Sequence, residues 1–69
     1  MSRKAGDFVF ALTDERGMDP EQFDNGTYIY SVDNSLKEAR RAQDDFGCGV
    51  IVKCRWVKRG VLKWVEYIP

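Results

Sequence analysis

The residues able to do chemistry in this sequence are few, and most of them are cations. Lys53, Arg55, Lys58, Arg59 and Lys63 fall within one stretch, VIVKCRWVKRGVLKWVEYI, and Lys37, Arg40 and Arg41 form a second group. Basic side chains with an aromatic neighbour such as Tyr67 suit the binding of anions, through backbone contact and base stacking. Proton transfer is poorly provided for. The chain has no histidine, which removes the usual general base near neutral pH and the commonest metal ligand. Its cysteines, Cys48 and Cys54, are too few for a disulfide framework and match no zinc spacing. Both are expected to be reduced thiols in a cytosolic protein. A nucleophilic cysteine needs a base or a helix N-terminus to lower its pKa. Cys48 instead follows a predicted helix C-terminus, and Cys54 falls at a core position. Asp44 and Asp45 are adjacent on a helix exterior, where solvation is expected rather than metal binding. Gly47-Cys48-Gly49 follows a helix instead of opening one, so it is no phosphate loop. No enzyme is expected, and no cofactor or metal.

The bulk properties narrow the class. Sixty-nine residues make a single small α+β domain, and a domain of this size buries only about 60% of its unfolded surface. Acidic and basic residues cancel at 11 each, which excludes a general nucleic-acid coat protein. MSRKAGDF has a basic start without an apolar run behind it, so no signal peptide is expected. No apolar stretch approaches the ~20 residues of a membrane span. A soluble protein of the cytoplasm is expected.

These cations need elements to position them. Residues 1–6 are polar and expected to fray. From Asp7 onward, Phe8, Phe10 and Leu12 alternate with Val9, Ala11 and Thr13 as in a strand. Residues 14–26, DERGMDPEQFDNG, break this periodicity and carry five acids against one base. They read as an acidic loop pinned by Phe23, with turns set by Gly17, Pro20 and Asn25-Gly26. Thr27–Val32 reads as a second strand. Its inward face is ambiguous between Ile29 and the set of Tyr28, Tyr30 and Val32; the last two are favoured as inward. Ser35 and Glu38 then form a capping box, and Leu36, Ala39, Ala42, Gln43 and Phe46 share one side of a helix over residues 35–46. Gly47 and Gly49 supply its left-handed stop.

A hairpin follows, with strands Val50–Val57 and Val61–Ile68. A three-residue connection, Lys58-Arg59-Gly60, pairs Val57 with Val61. One face then collects Val50, Val52, Cys54, Trp56, Leu62, Trp64 and Ile68, interrupted by Glu66, and forms the floor beneath the helix. The opposite face carries Ile51, Lys53, Arg55, Val57, Val61, Lys63, Val65 and Tyr67. The expected architecture is β-β-α-β-β, with a single helix packed on one face of an antiparallel sheet and the other face open.

That register sets Arg55 opposite Lys63, and like charges directly opposite on a sheet cost up to about 1 kcal/mol. Either the acidic loop folds against the hairpin and neutralises it, or an anionic partner does. On the helix, Arg40 and Asp44 attract while Lys37 and Arg41 repel. A basic helix edge beside basic strands would steer association with an acidic or nucleic-acid-laden target.

SLKEARRAQDDFGCGVIVK, followed by a short hairpin ending in aromatic residues, resembles the core of small phage-encoded anti-CRISPR proteins that act on type I surveillance complexes. The resemblance covers residues 35–69. It is carried by Ser35-Leu36, by Ala39 followed by Arg40-Arg41, and by Phe46 leading into Gly49-Val50. The acidic loop and the tyrosine-rich second strand lie outside it. The resemblance implies a stoichiometric inhibitor that binds Cas subunits along the DNA-recruiting surface of Cascade, with Arg40 and Arg41 facing the target. The expected partner is therefore a host Cas protein or ribonucleoprotein complex, bound through Lys37, Arg40, Arg41, Lys53, Arg55, Lys58, Arg59, Lys63 and Tyr67. The alternatives are a small nucleic-acid binder using the open sheet, and a homodimer through Ile51, Val57, Val61 and Val65. A monomer is favoured.

Overall fold

The computed structural model describes residues 6–58 and 60–69. The fraying expected of residues 1–5 and the role expected of Arg59 lie outside the described residues. Gly6, assigned to the frayed end by its sequence, donates its N–H to the Trp56 carbonyl at 2.6 Å.

Four strands form one antiparallel sheet: β1 (Phe8–Thr13), β2 (Ile29–Asp33), β3 (Val50–Lys58) and β4 (Val61–Ile68). Between β1 and β2 lie a 3-10 turn (Glu15–Met18) and a short helix, α1 (Pro20–Asp24); the main helix, α2 (Leu36–Phe46), joins β2 to β3. The fold is α+β with the order β-β-α-β-β and the main helix on one sheet face. Across the sheet the strands run β2-β1-β3-β4.

The start of α2 follows from its sequence. The Ser35 hydroxyl accepts from the Glu38 N–H at 3.2 Å and donates to the Glu38 carboxylate at 3.0 Å. Both bonds use the one Ser35 hydroxyl, which caps the Glu38 N–H and holds the Glu38 carboxylate at the S-x-x-E spacing. Gly47, at φ 74°, closes the other end in the left-handed region and donates its N–H to the Gln43 carbonyl.

The face beneath α2 differs from expectation. Ala39 packs with Leu12 and Ile51, flanked by Phe10, Tyr30, Ala42 and Ile68. The tryptophan face, with Val9, Ala11, Val52, Cys54, Trp56, Leu62 and Trp64, packs instead against Phe23 of α1. Two layers therefore cover the sheet, one on each side. The reason is topological. β2 and β3 are both antiparallel to the β1 strand between them, so they are parallel to each other. In a crossover between parallel strands the helix's face is governed by handedness, not by which face is more apolar.

The segment 14–26 is correspondingly not an irregular acidic loop. Asp14 caps the 3-10 turn, its carboxylate accepting from the Arg16 N–H, and Asp19 caps α1 by accepting from the Glu21 N–H at 2.8 Å. Pro20 occupies the first turn of α1, where its missing N–H costs nothing. Asp19-Pro20-Glu21 was thus a helix-start signal. Phe23 is the expected anchor, 8% exposed.

Two register shifts in the hairpin correct the faces further. Lys58, not Val57, stands opposite Val61, so the connection is one residue shorter than expected. The register then shifts at Val57, which restores Trp56 opposite Leu62, Arg55 opposite Lys63 and Cys54 opposite Trp64. A second shift at Val65 sets Glu66 opposite Lys53, Tyr67 opposite Val52 and Ile68 opposite Ile51. A one-residue slip exchanges the faces of all that follows. Glu66 leaves the tryptophan face, where it had been the lone interruption, and Tyr67 replaces it there. A shift at Tyr30 does the same in β2, so Tyr30 packs under α2 while Val32 packs on the tryptophan side. Both were expected to point the same way.

Candidate anion-binding face

α2 lies over β1, β2 and β3. Phe8, Arg55 and Lys63, on the same face of the sheet, remain exposed, and Lys53 is half-buried. Arg55 stands opposite Phe8 on one side and opposite Lys63 on the other. The Phe8 ring is 43% exposed and is flanked by two cations, with Lys53 Nζ at 4.4 Å and Arg55 Cζ at 4.5 Å from its centroid. Each such contact is worth about 0.5–1 kcal/mol at an exposed site. Arg55 Nη1 also donates to the Gly6 carbonyl at 3.0 Å, which fixes the guanidinium beside the ring.

Phe8 was absent from the candidates read in the sequence, where it counted as one more apolar residue of the first strand. Its place beside Arg55 depends on the β1–β3 register, and those residues lie far apart in the chain. Tyr67 is the opposite case. It was expected on the basic face, but the shift at Val65 turns it to the tryptophan face, half-buried opposite Val52. Glu66 takes a place on the basic face, opposite Lys53.

Of the other candidate cations, three lie on α2 and one at the end of β3. Lys58 is exposed at the end of β3. On α2, Lys37, Arg40 and Arg41 are all exposed. Arg40 Nη2 donates to the Pro69 carbonyl at 2.8 Å, tying the helix to the end of β4. The acidic segment sits across the sheet from Arg55 and Lys63, because Trp64 Nε1–H donates to the Gly17 carbonyl on the tryptophan side. The carboxylates of Asp14 and Asp19 are engaged in capping backbone N–H groups.

The thiols behave differently from one another. Burial pushes the Cys54 thiol up to about 12 from an ordinary 9.0, while Cys48 is exposed. Iodoacetamide is expected to label Cys48 alone in the folded protein and both cysteines in denaturant, read as mass shifts. The sign of the pH effect follows from the raised value. The unfolded thiol ionises above about pH 9, while the folded one holds its proton to about 12. The contribution of Cys54 to stability is therefore whole below pH 9 and is lost across that window, by at most about 1.4 kcal/mol per pH unit. Alkaline melts of the protein and of Cys54→Ala should diverge there; parallel curves would refute this.

A shallow cleft of about 480 Å³ at the other end of the sheet is lined by Asp14, Glu15, Arg16, Tyr30, Cys48 and Gly49. Burial first, then the neighbouring Cys48 and Asp14, hold the Tyr30 phenol above its usual range. No group of three or more potential metal ligands occurs among the described residues. No helix among them is long and apolar enough to cross a membrane. What the basic face offers is fixed charge around an exposed ring, an arrangement for binding anions. Compared with protein family models, curated proteins and solved structures, the chain matches none.

Proposed function

We propose that this protein is a non-enzymatic, phage-type inhibitor that binds a host type I CRISPR-Cas surveillance complex, Cascade, through its basic surface and blocks target DNA engagement. One observation carries the binding role: Arg55 directly opposite Lys63, on the part of the sheet beside α2. Such a pair costs a few tenths to about 1 kcal/mol. The whole stability expected at this chain length is only about 3–10 kcal/mol. The Phe8 ring and the Gly6 carbonyl on the other side of Arg55 take up part of that cost, and an anionic partner would offset the rest. The assignment of the partner rests on the resemblance of residues 35–69 to anti-CRISPR proteins, and Arg40 lies where helix and sheet meet.

The test is co-elution of the purified protein with type I complexes on size exclusion, followed by a target-DNA binding assay. A stoichiometric peak and loss of DNA binding are expected; failure to join any type I complex removes the proposal. Lys63→Glu should abolish co-elution. The same substitution sets opposite charges across the strands, so it should raise stability by up to about 1 kcal/mol, or roughly 4–8 °C in Tm. A more stable protein that no longer binds is the signature of a charge kept for function.

A further inference from the structure

We infer that β4 is a dimerisation edge, through which two copies of this chain pair antiparallel about a twofold axis between Trp64 and Val65. This goes beyond the reading above, does not rest on it, and departs from the monomer expected of the sequence. β4 is the longer of the two outer strands, with 8 residues against 5 in β2. One side of it bonds to β3, and no strand lies on the other. Such an open row of N–H and C=O groups is a template for another chain. α2 lies over β1, β2 and β3 rather than over this edge, and Val61 and Val65 are exposed along it.

The register shift at Val65 selects the partner. A regular strand keeps every second residue on one face and every second backbone group turned outward. A bulge reverses both midway. Lys63 and Glu66, opposite Arg55 and Lys53, therefore share the basic face. Leu62 and Tyr67, opposite Trp56 and Val52, share the tryptophan face. Val61, next to Leu62, and Ile68, opposite Ile51, share the α2 side. All three pairs are centred between Trp64 and Val65. A twofold axis there sets Lys63 against Glu66 of the second copy, Leu62 against Tyr67 and Val61 against Ile68. An ordinary extended peptide has no bulge, so it can follow β4 on only one side of Val65. A second copy carries its own bulge where the match requires one.

Charge favours the same pairing. Lys63 faces Arg55 within its own chain, and Glu66 of the second copy supplies a carboxylate on its open side. Glu66 in turn comes to lie between Lys53 and Lys63 of the second copy. Opposite charges directly across strands are stabilising. Acidic and basic residues number 11 each, so two copies meet without net repulsion.

Sedimentation equilibrium from about 1 μM to about 1 mM should show the mass rise from 8.0 kDa toward twice that value. Glu66→Lys turns two attractive pairs into repulsive ones and should raise the dissociation constant at least about 10-fold. Lys63→Glu should do the same, and the double variant Lys63→Glu/Glu66→Lys should restore the dimer. Circular dichroism confirms that each variant is folded. Amide exchange gives a second readout, since concentration should raise protection in β4 and not in β2. A mass still at 8.0 kDa near about 1 mM, single variants that dimerise like the wild type, or a monomeric double variant would overturn the inference. Glu66→Lys also separates the dimer from the inhibitor, because it adds a cation to the basic face. Co-elution with Cascade should persist in that variant while the dimer is lost. A monomeric wild type that co-elutes sinks the dimer alone; a dimer that never co-elutes supports it and removes the inhibitor.

Discussion

Gly17→Ala should cost about 3 kcal/mol, a large share of the stability of so small a domain. A Cβ at Gly17 would stand 1.9 Å from Thr13 Oγ1, 3.0 Å from Thr13 Cβ and 3.1 Å from Val52 Cγ2. Thr13 and Val52 are both fully buried, so neither can retreat. The 3-10 turn would have to lift from the sheet, and two further losses follow from that. The bond from Trp64 Nε1–H to the Gly17 carbonyl, 2.9 Å long, would break, at about 1 kcal/mol. The tryptophan face would also be opened to water along that edge. Urea titration followed by tryptophan fluorescence measures both effects, as a lower midpoint and a red-shifted native emission. Gly47→Ala is the control. Nothing lies within 4 Å of a Cβ there, so only the left-handed backbone is penalised, by about 1 kcal/mol. If Gly17→Ala melts with the wild type, the segment 14–26 does not seat on the sheet.

The second large effect belongs to the other layer. Leu12→Ala is expected to destabilise the domain by about 2–5 kcal/mol, the range for deleting a buried leucine. Leu12 is 0% exposed, in a cluster with Ala39 of α2 and Ile51 of β3. The cavity it leaves cannot close easily, because Gly49 already approaches the leucine. A Cβ at Gly49 would come within 2.9 Å of Leu12 Cδ1 and 3.0 Å of the Thr13 carbonyl. Gln43 Nε2–H also holds the Gly49 carbonyl at 3.0 Å, so helix end and strand start move together. Leu36→Ala, at the exposed edge of the same helix, should cost well under half as much. Equal losses at the two leucines would mean that α2 does not pack over Leu12.

Both variants probe layers whose placement the sequence did not show. α2 itself was legible, since the Ser35–Glu38 box, the small residues Ala39 and Ala42 and the glycine stop are all local signals. The strands were legible for the same reason. α1 was missed although Asp19-Pro20-Glu21 marks its start, because five acids and three turn signals within 13 residues read more readily as a solvated connector. Met18 and Phe23 did not distinguish a pinned loop from a packed layer.

The basic face shows where such reading stops. Arg55 opposite Lys63 came out as expected, although through a shorter turn compensated by the shift at Val57. Beyond Trp64 the assumed alternation failed. The shift at Val65 sent Tyr67 away from the cations and brought Glu66 to them. It also set Ile68 beside Ile51 under the helix, which removes Ile51 from any dimer surface.

Taken alone, the sequence determined the four strands and α2 in their order, the two ends of α2, the identity of the cations and the pairing of Arg55 with Lys63. All of these depend on neighbours within a few residues, where capping, turn chemistry and period-two patterning act. The tertiary structure decided which face α2 covers, that the acidic segment covers the other, and that Phe8 lies between Lys53 and Arg55. Those outcomes depend on crossover handedness and on the register of strands distant in the chain, for which no local pattern provides a signal.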